Sequence, residues 1–320
     1  MLDAKYEEVV TESSEDLAPR LPPWKKSTLS EKALRAVLNL AVYFPVLTLW
    51  TVSVFFYLTF VICYLIPNVS YVSSHAELYY WNTSSEYFWA KVKAWVIFSL
   101  LSVFVILFCI STIRAMMTPP GNVPQKWDIS GDMKSEIEKR QDGQDRICIR
   151  CEMKKPDRTH HCRQCEKCVL RMDHHCNWIA NCVGFYNYKY FMCMLFYGVI
   201  SLSIIVGSFW ETVVIVLNDN SNSTSYCFFI TFAYSVNCLA FFVLTAFTGY
   251  HFWLIWNNFT TIEYCEKRGK NSEIFKGLSP YRQGTYMNFK QALGENPLFW
   301  FIPTNFKALG DGVVFAYHDS

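Results

Sequence analysis

The chain has 320 residues, of which 52% are hydrophobic and 18% aromatic. Only 18% are charged, below the roughly 25% of an ordinary soluble domain. The net charge of +2 argues against a bulk polyanion such as nucleic acid as partner.

Residues 1–35 form a polar arm with Glu7, Glu8, Glu12, Glu15 and Asp16 followed by Pro19, Pro22 and Pro23; it is expected to be disordered and cytosolic. No secretory signal is visible, so the first apolar run is expected to act as an internal insertion signal. Four apolar stretches are long enough to cross about 30 Å of hydrocarbon at about 1.5 Å per residue. They run from about Ala36 to Ile66, Ala94 to Met116, Tyr190 to Leu217 and Cys227 to Trp256. None has Lys, Arg or Asp in its central part, which sets them apart from the buried helices of a large soluble protein.

The loop after the first span has only Lys91 and Lys93, at its far end, and the loop 218–226 has no basic residue. Most Lys and Arg lie in 117–189 and in the tail, with the rest in the N-terminal arm, so the positive-inside rule puts these three segments in the cytosol. The sequons at Asn68, Asn82 and Asn222 then face the lumen, while that at Asn258 stays cytosolic. The expected fold is an all-α polytopic membrane protein of four transmembrane helices, with a cytosolic zinc-binding cysteine-rich domain between helices 2 and 3. The divisions are 36–116 (two spans and a lumenal loop), 117–189 (cysteine-rich domain), 190–256 (two spans) and 257–320 (cytosolic tail). Pro119, Pro120, Gly121 and Pro124 stop the second helix. No internal repeat is read from the sequence.

Of thirteen cysteines, seven fall between Cys148 and Cys182, interleaved with four histidines. That mixture reads as metal ligation by reduced thiolates, not as a secreted disulfide framework. Cys148/Cys151 and Cys162/Cys165 have the C-x2-C spacing that aims two sulfurs at one tetrahedral ion. A closed structural site takes four ligands, so two sites leave residues over. Within Asp173-His174-His175-Cys176, one histidine should be free for chemistry beside a thiol, since helical or turn backbone cannot point two neighbouring histidines at one metal.

This run of cysteines and histidines resembles the cysteine-rich domain of the DHHC palmitoyltransferases. The resemblance continues through Asn181-Cys182-Val183-Gly184 and Asn187-Tyr188, then Thr260-Thr261-Ile262-Glu263, which looks like the family's TTxE motif, and Asn288 in the C-terminal motif. It covers about residues 36–300. Two positions depart from the pattern: Asn177 stands where many members have proline, and Pro119-Pro120-Gly121 replaces Asp-Pro-Gly. The resemblance implies one structural zinc on Cys148, Cys151, His161 and Cys168, and a second on Cys162, Cys165, His175 and Cys182. It further implies a protein S-palmitoyltransferase working by ping-pong thioester exchange. Cys176 would carry the acyl group from palmitoyl-CoA or another acyl-CoA to cysteines of cytosolic or membrane-associated proteins. His174 would be its base, and Asp173 would orient that base.

Lys155 and Arg158 are candidate partners of the CoA phosphates, set against surface charges or contacts with lipid headgroups. Trp178 is a candidate contact for the start of the acyl chain, or an interface anchor. Thr261 is expected to hydrogen-bond Asp173 or its neighbours, with Thr260 and Thr261 as a helix cap the plainer alternative. His75, His251 and His318 read as isolated structural or surface residues. A metal-bound scaffold and a transporter are the rival classes. The intact Asp-His-His-Cys speaks against the first, and the lack of intramembrane charge other than Glu211 against the second. The expected location is the endomembrane system, the Golgi first, with ER and plasma membrane as alternatives.

Overall fold

The computed structural model describes residues 29–70, 84–124, 145–268, 279–305 and 308–316. The chain falls into two units, Met1–Val42 and Tyr43–Ser320. In the first, residues 29–42 are helical, so the expected arm ends earlier than 35; residues 1–28 lie outside the described residues. Asn82, His75 and His318 also lie outside them. The second unit carries the membrane helices and the cysteine-rich domain.

Among the described residues, four helices are long and apolar enough to cross a membrane. The first candidate span, Tyr43–Val69, is the latter part of α1 (Leu29–Phe60) continued through a π-helical turn, Val61–Leu65, into a short helix, Ile66–Ser70. The others are Phe88–Met117 within α2 (Ser84–Met117), then α3 (Tyr188–Asn218) and α4 (Thr224–Asn257). Hydroxyls need partners in hydrocarbon, and several in these helices find them on the preceding turn. Thr51 Oγ1 bonds Leu47 O at 2.8 Å, Ser111 Oγ bonds Leu107 O at 2.7 Å, and Thr248 Oγ1 bonds Leu244 O at 2.7 Å.

α3 is the central helix: 44% of its most apolar stretch is buried, against 17–22% in the other three spans. It packs on both α2 and α4. Gly198 permits that close approach, because a Cβ there would meet Leu244 Cδ2 at 2.9 Å and Phe108 at 3.6 Å. Lys93 on α2 pairs with Glu211 on α3 at 2.6 Å, which gives the one acid read in any span a partner. The Asn222 amide donates to Val216 O at 3.1 Å, capping the end of α3.

Between α2 and α3 the described residues of the cysteine-rich domain add six short strands in three antiparallel hairpins. They are β1 (Ile147–Cys148) with β2 (Met153–Lys154), β3 (His160–Cys162) with β4 (Lys167–Val169), and β5 (His174–Cys176) with β6 (Asn181–Val183). The domain is moored to the end of α2. Pro119 and Pro120 stop that helix, and Gly121 turns the chain at φ 119°. Gly121 O then accepts from Leu170 N at 3.0 Å, and Pro120 O from Tyr186 N at 3.1 Å. The last carbonyls of α2 lack helical donors. Asn181 supplies them, donating to Ala115 O, Met116 O and Thr118 O at 3.0–3.2 Å, and Asn187 Nδ2 reaches Ala115 O at 3.2 Å.

After α4 the chain turns on Asn258, left-handed at φ 53°, into α5 (Thr261–Arg268). Thr260 and Glu263 cap α5 reciprocally: Thr260 N donates to Glu263 Oε2 at 2.8 Å and Glu263 N to Thr260 Oγ1 at 3.2 Å. The tail continues into α6 (Thr285–Leu293). There Asn288 is buried, donating to Trp256 O at 2.8 Å and accepting from Gln283 N at 2.9 Å.

The expectation that Arg158 meets CoA phosphates is corrected by its position. Its side chain is 0% exposed and forms a bidentate pair with Glu263, Nε to Oε1 at 2.6 Å and Nη2 to Oε2 at 2.9 Å. Its remaining contacts are Asn258 Oδ1 and O, at 3.1 and 3.0 Å, and the rings of Tyr281 and Phe315 at 4.5 and 5.1 Å. A guanidinium so enclosed has no face for a ligand; it ties the cysteine-rich domain to α5 and the tail. Replacing Glu263 by Ala strands that charge, so Glu263→Ala should cost about 3–5 kcal/mol of stability. Thermal unfolding in detergent checks this as a clear fall in midpoint against wild type.

Candidate metal centres and thiol site

Each hairpin turn places a residue in left-handed backbone: Glu152 at φ 54°, Glu166 at φ 53° and Ala180 at φ 47°. These positions are 14 residues apart, as are Cys148, Cys162 and Cys176 before them. The strand registers repeat too, with Cys148 opposite Met153, Cys162 opposite Lys167 and Cys176 opposite Asn181. The domain is therefore a threefold repeat, correcting the reading that none exists. The two later copies both open His-His-Cys and close Cys-Val, at 160–169 and 174–183. Too few other positions match for the eye to find the period.

The repeat explains the metal clusters. Each takes the two cysteines of one turn and a directly opposed His/Cys pair from the next hairpin. One cluster is Cys148, Cys151, His161 and Cys168; the other is Cys162, Cys165, His175 and Cys182. His161 faces Cys168 across β3–β4, and His175 faces Cys182 across β5–β6. Neighbouring residues of a strand point to opposite faces. His161 and Cys162 thus serve different clusters, although they are adjacent.

The donors fit a tetrahedral ion. Sulfurs at about 2.3 Å and an imidazole nitrogen at about 2.0 Å from zinc would lie about 3.5 Å from each other. The Cys148, Cys151 and Cys168 sulfurs lie 3.5, 3.2 and 3.9 Å from His161 Nδ1. Those of Cys162, Cys165 and Cys182 lie 3.5, 3.4 and 3.5 Å from His175 Nδ1. Both clusters match the ligand sets that the sequence resemblance implies. Each could hold a metal ion, and each would close all four positions with protein.

The third turn is a metal turn without its second sulfur. Ile179, 1% exposed, stands where Cys151 and Cys165 stand in the first two. Cys176 is thus left outside both clusters. In β5, His175 points to the metal face, while His174 and Cys176, two apart, share the other. His174 Nδ1 lies 2.7 Å from Asp173 Oδ2, which leaves Nε2 as the other ring nitrogen. Burial works against a charged ring at His174, but the bonds with Asp173 and the Cys176 thiol outweigh it and push it up to about 10. Burial would likewise raise the Asp173 carboxyl. The bond and charge of His174, helped by Thr261, hold it well below the usual carboxylate range. Thr261 donates twice to Asp173, from N to Oδ1 at 3.0 Å and from Oγ1 to Oδ2 at 2.8 Å.

Cys176 is 6% exposed and packs in one apolar cluster with Ala115 of α2, Phe191 and Leu195 of α3, and Ile255 of α4. The thiol therefore stands where the cysteine-rich domain meets the end of the helix bundle. Trp178, in the turn just beyond, is 51% exposed. Lys155 lines a cleft of about 350 Å³ with Arg150, His160 and Arg163. His251, set aside in the sequence as isolated, is 1% exposed with its ring centroid 5.9 Å from that of His174. Its position in a long apolar run gave no sequence signal.

A thiol beside an acid-bound imidazole, next to two four-donor metal clusters at the end of four membrane-length helices, defines a polytopic membrane protein with a cysteine-rich, metal-binding thiol centre. A family model described as DHHC palmitoyltransferase matches residues 141–268. Palmitoyltransferase ZDHHC20 of Homo sapiens is 30% identical over 170 residues, 53% of this chain and 46% of that protein. Palmitoyltransferase ZDHHC15 of Rattus norvegicus is 31% identical over 171 residues, 53% of this chain and 50% of that protein. Probable protein S-acyltransferase 13 of Arabidopsis thaliana is 32% identical over 234 residues, 64% of this chain and 73% of that protein. The chain spans about half the length of the two animal relatives. It belongs to the DHHC palmitoyltransferase family.

The two clusters predict a metal signature. Purified wild type and Cys176→Ser should each carry about two metal ions per chain, and Cys165→Ser about one or fewer. Elemental analysis by mass spectrometry checks this, and metal lost from Cys176→Ser would place that sulfur among the ligands.

Proposed function

We propose that this chain is a protein S-palmitoyltransferase that carries a long acyl group on Cys176 from acyl-CoA to cysteines of other proteins. The observation that carries the reading is the double environment of Cys176: it shares a strand face with an Asp-bound imidazole and lies in the apolar cluster of the bundle.

In the first half-reaction, His174 Nε2 takes the proton of the Cys176 thiol. Asp173 holds the opposite nitrogen and balances the imidazolium, and Thr261 fixes Asp173 with two hydrogen bonds. The Cys176 thiolate attacks the thioester carbonyl, the bond from carbonyl to CoA sulfur breaks, and His174 returns the proton to the CoA thiolate. In the second, His174 takes the proton of the acceptor thiol. That thiolate attacks acyl-Cys176, and the Cys176 sulfur leaves and regains the proton. One thioester replaces another at each step, so no further energy source is needed. Two zinc ions on the four-donor clusters would hold the hairpins rigid and take no part in the chemistry.

A free palmitoyl chain in water costs on the order of 10 kcal/mol, at about 0.8 kcal/mol per methylene. The apolar cluster around Cys176 is built partly from α2, α3 and α4, which would offer that chain an environment. Trp178, exposed just beyond Cys176, meets the start of the chain. Lys155, with Arg150 and Arg163 on the same cleft, attracts the CoA phosphates. The acceptors are cytosolic or membrane-associated proteins with exposed cysteines. The distribution of basic residues supports an active site on the cytosolic side, in the endomembrane system with the Golgi first.

Incubation of the purified chain with a clickable palmitoyl-CoA analogue tests the reading. Wild type should acquire a hydroxylamine-sensitive label that Cys176→Ser lacks. An unlabelled wild type with its metal content intact would sink the acyltransferase reading and leave a metal-bound scaffold. Thr261→Val removes one of the two Thr261 bonds to Asp173, a charge-assisted bond worth about 1.5–3 kcal/mol, and should slow labelling by about tenfold or more with metal content unchanged.

A further inference from the structure

Asp173 holds one nitrogen of the His174 ring and the Cys176 thiol also meets the ring, but such in-plane bonds leave the ring free to tilt. The plane is set by what lies against it. Phe191 of α3 meets it edge-on, centroids 5.2 Å apart, and His251 of α4 lies at 5.9 Å and 43°. His251 is itself walled in by Phe191 at 5.0 Å, Phe247 at 4.7 Å and Tyr250 at 5.6 Å, each near edge-on. Its Nδ1 lies 3.2 Å from the hydroxyl of Tyr188, which is 3% exposed and covered by the Arg171 guanidinium at 5.3 Å.

An imidazole among aromatic rings in a membrane helix is costly, and an apolar side chain would fill the same space. What imidazole adds is the bond to Tyr188. That residue opens α3 directly after β6 and the turn that follows it, so the bond pins α4 to the base of the hairpin carrying Cys176. His251 is thereby fixed with respect to His174 by a polar contact as well as by packing.

We propose that His251, held by Tyr188, is a positioning residue for His174, keeping Nε2 turned towards Cys176 while the acyl-enzyme forms. The proposal rests on the acyltransferase reading. A base misplaced by about 1 Å loses on the order of a hundredfold in rate. The effect therefore belongs in the rate of the thiol's reaction and not in the binding of acyl-CoA.

The test is the rate of Cys176 acylation by purified full chain in detergent, across palmitoyl-CoA concentrations, for wild type, His251→Leu, His251→Asn and Tyr188→Phe. His251→Leu should lower the maximal rate by about tenfold or more, with half-saturation unchanged. Tyr188→Phe, which removes only the hydroxyl, should lower it in the same sense. His251→Asn, which can still meet that hydroxyl, should recover part of the rate. Alkylation of Cys176 by iodoacetamide without acyl-CoA should fall in parallel, since it reads thiol activation alone. A His251→Leu rate within about twofold of wild type, a loss confined to half-saturation, or loss of metal by both His251→Leu and Tyr188→Phe would overturn the proposal. If wild type alkylates at Cys176 yet never acylates, the acyltransferase reading fails and this proposal with it. If wild type acylates and the variants match it, only this proposal fails.

Discussion

The two-residue period of a single short strand governs the site. In β5, His175 turns to one face and joins Cys162, Cys165 and Cys182, while His174 and Cys176 turn to the other. Metal ligand and thiol pair cannot move independently, because one backbone carries both. The register against β6, with His175 opposite Cys182, fixes that backbone at the metal face. Asp173 and Thr261 fix it at the other. A structural ion in this arrangement would act on the thiol through strand geometry alone.

The threefold repeat gives a reason for a free cysteine among so many ligands. A cluster forms between successive hairpins, from the turn of one and the strand pair of the next. Three hairpins therefore make two clusters and leave unused positions at each end. In the first hairpin, Ile147 and Lys154 occupy the strand-pair positions and offer no ligand pair. In the last, the turn has no following hairpin to complete it, and Ile179 replaces its second sulfur. Cys176 is the remaining sulfur of that turn. Its freedom follows from being last in the series, and its place follows from the hairpin being the one that leads into α3.

The spans and the C-x2-C turns were legible in sequence because each depends on local pattern, whereas the crossed ligand sets came from the family resemblance. An apolar run announces a span by length, and a C-x2-C turn announces its geometry by spacing. Arg158 was misread because its role depends on Glu263, 105 residues away. A basic residue in a cysteine-rich domain looks exposed until the partner that neutralises it is known. Glu263 stood in a recognised motif, yet nothing local to it indicated that its carboxylate both caps α5 and meets a buried guanidinium. His251 was invisible for a different reason: inside an apolar run, the sequence does not say which face of the helix meets the site. The repeat escaped because only a few identities recur along with the hairpin register.

The tail's polar contacts show why the cysteine-rich domain cannot be treated as a detachable zinc module. Arg158 in that domain bonds Glu263 of α5 and Asn258 at the end of α4, while Asn258 also donates to Tyr281 O at 2.6 Å and Gln291 Oε1 at 2.8 Å. A buried ion pair contributes little net stability relative to apolar packing, but removing one partner is severe. Such a pair therefore specifies an arrangement more than it strengthens one. Here the arrangement brings Thr261, two residues before Glu263, onto Asp173. The Arg158–Glu263 pair and the Asp173–Thr261 pair are two ends of one short segment, so docking the tail and orienting the acid beside His174 are the same event. A cysteine-rich domain cut from the helices would keep its eight metal donors and lose the group that sets its acid.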